Sequence, residues 1–425
     1  MPLDSGATAL LHADPANAVT ARRHAHDAVV RDFATRRGGH FLVVSRSQHF
    51  YLNLRNAAVR FLSLPEACVR PVWPPETIHQ ELAAFKQAGI PSVCFIDCDA
   101  TEGLCAELLA AIRKEHPEAR IIILAFEMTR DRLVYLHEEG ADNVLVLPAS
   151  ADALIERVAF TIHPPGPEAD LFQSGHEAVR NKAYSEAAAI ASRILAAKPG
   201  SPGGLILLGD ALRGMGHSQE ALEAYGKAAR GETLFLAPLA RMAQVHHEEG
   251  HLGREIEFLE KLSELSPLNA GHKVAIGANH LRLGDRENAH KAFEEAYRTA
   301  SGRELNTPSM VSRAIAEQCL EFAPDYSERY FRRALGEQAG RPAKAGVDIM
   351  NRLGLALRRQ GKWEEAVTEY SKALKMAPDN ATLLFNIAMA YSEGGKPGDA
   401  ARILDRVLDS EPDFCERNPK ACVNA

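Results

Sequence analysis

The sequence predicts an α/β, doubly wound domain followed by an all-α superhelical solenoid. Three observations carry this reading. Five short apolar runs alternate with helical stretches between residues 40 and 162. Beyond them a beat of 34 residues is kept by Gly175, Gly209, Ala243 and Gly277, and, after a slip of nine residues, by Gly354 and Ala388. Each of these is followed twelve residues later by Ala187, Ala221, Glu255, Ala289, Ala366 or Ala400. A fixed period of this size marks stacked supersecondary units.

Composition narrows the function classes. The 425 residues suffice for two or three domains with a substantial core. A net charge of −7 and a pI near 6.2 argue against a general nucleic-acid binder, which would carry a basic field. No apolar run approaches the ~18 residues of a membrane span. The N-terminus lacks the basic start and apolar core of a secretory signal. Segment 18–37 is arginine-rich and faintly amphipathic through Val19, Val29, Val30 and Phe33, in the manner of a transit peptide. Asp27 and Asp32 interrupt it, so residues 1–39 read as a tail or leading helix. Seven scattered cysteines imply reduced thiols and a cytoplasmic setting. Cys415 and Cys422 could pair or bind a metal, but no second ligand pair accompanies them.

The first domain is expected over 40–163. Its apolar runs are 41–45, 68–73, 92–97, 121–126 and 143–148, and its helical patterns are roughly 48–61, 76–88, 102–115, 129–139 and 151–162. Five βα units of this length suggest a flavodoxin-like (βα)5 parallel sheet, with functional loops at the C-terminal ends of the strands.

The segments VCFIDCDATEGLCAELLAAIRKEHPEARIIILAF and EEGADNVLVLPASADALIERV resemble the receiver domain of two-component response regulators. The resemblance implies five chemical parts, of which one is kept. Asp97 stands where the phosphoacceptor belongs. Ser45 and Arg46 replace the acidic pair that holds Mg²⁺, a hard cation that needs oxygen ligands. Ala125 stands at the Ser/Thr position, Leu147 at the lysine position before Pro148, and Val144 at the switch aromatic. Phosphoryl transfer rests on positioning and charge neutralisation, so ordinary phosphorylation should be lost. The resemblance thus implies a pseudo-receiver, with a phosphorelay through Asp97 as the alternative. One reading has Arg46 pair with Asp97 and imitate the neutralised state; the plainer one is a relic capped by water or backbone amides. Asp99 offers some salvage of metal binding. Cys94 and Cys98 flank Asp97, and Cys94 reads as core packing. A homodimer through the face around 129–162 is left open.

The array spans 168–414, with a tail at 415–425. Repeats begin at 168, 202, 236 and 270; two clear copies are 347–380 and 381–414, and a degenerate copy fits 308–341, for about seven in all. Small residues at the eighth and twentieth positions let paired helices approach. Tyr225, Phe293 and Tyr370, at the twenty-fourth, fill the gap between neighbouring repeats. Gly216, Gly250, Gly284, Gly361 and Gly395 permit a left-handed turn between helices. Pro199, Pro267, Pro378 and Pro412 end the second helix. These positions resemble the tetratricopeptide (TPR) repeat. That resemblance implies a concave groove lined by first helices, here Arg241, Gln244, His247, Arg282, Asn351, Arg352, Arg358, Arg359 and Asn386. Their cationic and amide groups suit an acidic segment or a peptide carboxylate. The Lys-Asn-Asn-Lys-Arg clamp of chaperone-binding TPRs is not reproduced.

Seventeen histidines, including RRHAHD (22–27) and His246-His247, show no zinc-site spacing, and no P-loop, dinucleotide fingerprint or GxSxG elbow appears. The expectation is a non-enzymatic signalling scaffold, bacterial and cytoplasmic. It binds unidentified protein or peptide partners, without cofactor, metal, nucleic acid or membrane insertion.

Overall fold

The five apolar runs pair as parallel strands: β1 (His40–Val44), β2 (Val69–Pro71), β3 (Ser92–Asp97), β4 (Arg120–Ala125) and β5 (Asn143–Val146). This is a computed structural model, and it describes residues 15–99, 101, 105–163, 168–230, 236–301, 307–337 and 343–417. The strand order is β2-β1-β3-β4-β5, compatible with a flavodoxin-like domain. Register is set by Phe41 opposite Val69, Val44 opposite Ile96, Asp97 opposite Leu124 and Ala125 opposite Val146. Strands covered on both faces must be apolar throughout, and Val93, Cys94, Phe95 and Ile96 are all fully buried. The second strand is shorter than its apolar run of 68–73. Pro71 cannot donate to a ladder and is tolerated because β2 is an edge.

The helices of this domain are α1 (Pro15–Thr35), α2 (Gln48–Asn56), α3 (Ile78–Gln87), α4 (Cys105–Glu115), α5 (Arg130–Glu138) and α6 (Ala151–Ile162). The helical pattern of 48–61 is split, since α2 passes into a π-helical turn at Ala57–Phe61. Thr129 and Ser150 cap α5 and α6, each accepting the amide three residues on.

One boundary needs correction. The leading segment belongs to the domain rather than preceding it at residue 40. Arg23 pairs with Asp152 at 2.9 Å, the His26 and Phe160 rings meet edge-on at 5.0 Å, and Val30 and Phe33 share the core of β1 and α6. Residues 1–14 lie outside the described residues.

Seven helix pairs follow among the described residues. They are α7 (Ala169–Arg180) with α8 (Tyr184–Ala197), α9 (Pro202–Gly214) with α10 (Ser218–Ala229), and α11 (Leu236–Glu248) with α12 (Leu252–Leu265). Then come α13 (Ala270–Arg282) with α14 (Arg286–Ser301), α15 (Pro308–Cys319) with α16 (Pro324–Gly336), α17 (Ala343–Arg359) with α18 (Trp363–Met376), and α19 (Ala381–Glu393) with α20 (Pro397–Ser410). The short α21 (Phe414–Arg417) closes the described chain, and Cys422 lies outside it. The irregular fifth copy is a full helix pair. The chain forms two compact units, Met1–Val245 and His246–Ala425, whose boundary falls within α11. No described helix is long and apolar enough to cross a membrane.

The period has local causes, shared by most repeats. All five turn glycines adopt φ between 68° and 85°, and Lys182 takes their place in the first repeat at φ 60°. The aromatic at the twenty-fourth position packs onto the glycine of its own repeat. A Cβ on Gly209, Gly277 or Gly354 would lie 2.4, 2.5 or 2.3 Å from the ring of Tyr225, Phe293 or Tyr370. The expected gap between repeats is thus first a contact between the two helices of one repeat.

Candidate functional site

The C-terminal edge of the sheet gathers the residues singled out in the first domain. Asp97 ends β3 and is 3% exposed. Because β1 and β3 are paired, Ser45, one residue past β1, comes alongside it. The Ser45 Oγ donates to Asp97 Oδ2 at 2.6 Å and accepts the Ser47 amide at 2.9 Å. The guanidinium of Arg46 lies over the indole of Trp73, 4.9 Å from the ring centroid. Ala125 is buried at the end of β4, Val144 is buried opposite Ile123, and Leu147 leads through a cis peptide into Pro148. A cleft of about 300 Å³ opens here, lined by Asp97, Ser47, Phe50, Asn53, Phe126 and Leu147 among others, and Phe126 is 60% exposed.

Asp99 is engaged by the chain itself. Arg132 Nη2 donates to Oδ1 at 2.7 Å and the Phe126 amide to Oδ2 at 3.0 Å. This corrects the idea that Asp99 salvages a metal site. A hard divalent cation wants six or more oxygens, largely carboxylate and water. Ser45 and Arg46, after β1, offer no carboxylate here, and Asp99 already faces the Arg132 guanidinium. The residues present do not fit Mg²⁺. Among the described residues, no three-ligand group of His, Cys, Asp and Glu includes Asp97.

The cysteines beside Asp97 differ in chemistry. Burial pushes the Cys94 thiol up to about 12, as suits a core residue. Cys98 is held below the usual thiol range, first by a hydrogen bond from Cys105 and then by Arg132. Cys105 is correspondingly raised, by that hydrogen bond and by burial.

The residues assigned to the groove lie on the first helices of their repeats, and most face a partner from a neighbouring repeat. Arg241 on α11 pairs with Asp210 on α9 at 2.9 Å. Asp210 is 6% exposed and also accepts the Tyr225 hydroxyl at 2.7 Å. Arg352 pairs with Glu317 at 3.4 Å, and Arg359 grips Glu321 with two nitrogens, one at 2.6 Å. Arg358 holds Glu393 by a fork, Nε at 2.9 Å and Nη2 at 2.5 Å. Asn386 donates to Asn351 at 2.7 Å. Arg282 lies 4.7 Å over the Phe322 ring, His247 faces Glu255 at 3.1 Å, and Gln244 is exposed on α11.

Sequence reasoning found these cations and missed their counter-charges. The signal was present: Glu317, Glu321 and Glu393 stand 35 to 38 residues from their arginines, close to one repeat away. The expected basic face is instead a ladder of ion pairs, each worth at most about 1 kcal/mol where exposed.

Two family models match the chain, a TPR repeat model over residues 354–395 and a tetratricopeptide repeat model over 382–413. The chain therefore carries TPR repeats in a helical solenoid. No curated protein matches it. Among solved structures it is similar to a tetratricopeptide repeat protein from Parabacteroides merdae at 17% identity, covering 57% of this chain and 92% of that one with a TM-score of 0.39. It is also similar to a thermophilic TPR protein of Thermus thermophilus, at 19% identity, 45% and 98% coverage and a TM-score of 0.30. A third is YrrB, described as a TPR protein with an unusual peptide-binding site, at 20% identity, 45% and 95% coverage and a TM-score of 0.29. The family models, not these distant likenesses, establish the repeat type.

Proposed function

We propose that the chain is a non-enzymatic adaptor that binds protein or peptide partners through its TPR array, with the sheet domain as a pseudo-receiver that docks or regulates. The observation that carries the second half is the fate of the two acidic residues at the end of β3 and just beyond it. Asp97 accepts a hydroxyl from Ser45 and Asp99 accepts a guanidinium from Arg132, so the charge a Mg²⁺-phosphate would bring has neither ligands nor a lysine to meet it. The first half rests on the repeats themselves. An acidic partner segment would have to exchange with Glu317, Glu321 and Glu393 for the same guanidiniums, which favours a partner of mixed charge over a polyacidic tail.

The test is incubation of the full chain with Mg²⁺ and acetyl phosphate or beryllofluoride, beside Asp97→Asn. Identical spectra and mobility with and without the reagents support the pseudo-receiver. A change in the native chain that Asp97→Asn abolishes overturns it and installs phosphorelay through Asp97.

A further inference from the structure

Away from the strand ends, the first turn of α3 meets the end of α4 and brings together three metal-ligand side chains. His79 is the second residue of α3, Glu115 is the last of α4, and His116 follows it. One donor atom from each lies within 4.8 Å of the other two. The two imidazole rings are 6.0 Å apart and inclined by only 32°. We propose that His79, Glu115 and His116 form a site for a borderline divalent ion, Zn²⁺ before others.

The case rests first on His116. His116 is 6% exposed, and its Nδ1 is buried without a hydrogen-bond partner. An orphaned buried nitrogen costs about 1–3 kcal/mol unless something meets it. His79 Nδ1 already faces Glu115 Oε2 at 3.0 Å, so two of the three donor side chains are in contact without an ion. Two imidazoles and one carboxylate are the donor types Zn²⁺ takes at about 2.0–2.2 Å, whereas Mg²⁺ and Ca²⁺ call for oxygen throughout. Tetrahedral bonding at that length spaces the ligands by roughly 3.4 Å, so closing the trio needs only small side-chain rotations. Three protein ligands leave a fourth position for water. The bound ion would clasp the start of α3 to the end of α4.

A second trio, His246, Glu249 and His251, lies in the other unit and supplies an internal control. There His246 stacks on Phe258 at 5.5 Å, and Glu249 and His251 are both exposed. His246 Nδ1 is also buried without a hydrogen-bond partner, but the residue as a whole is only partly buried, so this trio lacks a histidine buried to the degree of His116.

The decisive measurement is zinc affinity of the metal-stripped full chain, by competition with a chelator of known strength, with Co²⁺ absorption reporting geometry. One tight site per chain is expected, weakened on the order of 100-fold by His116→Gln or His79→Gln, about 10-fold by Glu115→Gln, and unchanged by His251→Gln. Glu115 has a 58% exposed side chain, so Glu115→Gln decides the matter should a histidine variant fail to fold. Zinc affinity indifferent to all three substitutions, or lost only with His251→Gln, overturns the proposal.

Discussion

The Ser45 hydroxyl donates to the Asp97 carboxylate at 2.6 Å, across the junction of β1 and β3. A buried carboxylate thus has a neutral hydroxyl among its partners. Ser45→Ala should cost about 1–3 kcal/mol of unfolding free energy, because it removes a donor from a buried charged acceptor. The double variant with Asp97→Ala should cost less than the sum of the two singles, leaving a coupling energy of about 1 kcal/mol or more in urea melts. Strict additivity would mean the bond contributes nothing.

Gly354 and Gly226 are both helical glycines, and their alanine variants should move stability in opposite directions. At Gly354 an added methyl meets the Tyr370 ring at 2.3 Å, while at Gly226 nothing lies within 4 Å. Gly354→Ala should destabilise by about 1–3 kcal/mol as the ring is displaced from a packed core. Gly226→Ala should stabilise by about 0.5–1 kcal/mol, the backbone entropy recovered. Chemical denaturation of both variants checks the pair, and a shared sign would refute the packing account.

How much of this was legible follows from the range of each interaction. The 34-residue period reports contacts such as Gly354 with Tyr370, sixteen residues apart and matched by Gly209 with Tyr225 and Gly277 with Phe293, so the array could be read helix by helix. The strands could be read because a buried parallel sheet demands unbroken apolar runs. The site could be read only as far as chain order reaches: Asp97 was placed, but its bond to Ser45, 52 residues away, depends on strand pairing. The meeting of His79 with His116 escaped for the same reason, whereas the ion-pair ladder kept a legible spacing of about one repeat. The two histidines are neighbours through packing, and a spacing of 37 residues between them carries no metal-site signature.

Glu139 provides a pH test. It caps the C-terminal end of α5, beside Glu138 and the negative end of the helix dipole. Burial first, and then the charge of Glu138, raise its pKa from 4.5 to about 7. The fold therefore prefers the neutral carboxyl. Its contribution is fully present below pH 4.5 and is lost as pH rises through about 7. Glu139→Gln keeps a neutral side chain at every pH. Its melting temperature should match the native protein near pH 4 and exceed it by pH 8, with the difference opening between pH 4.5 and about 7. Taking the difference between the two proteins cancels the other titrating groups. A gap independent of pH would show that Glu139 ionises in the fold as it does in the unfolded chain.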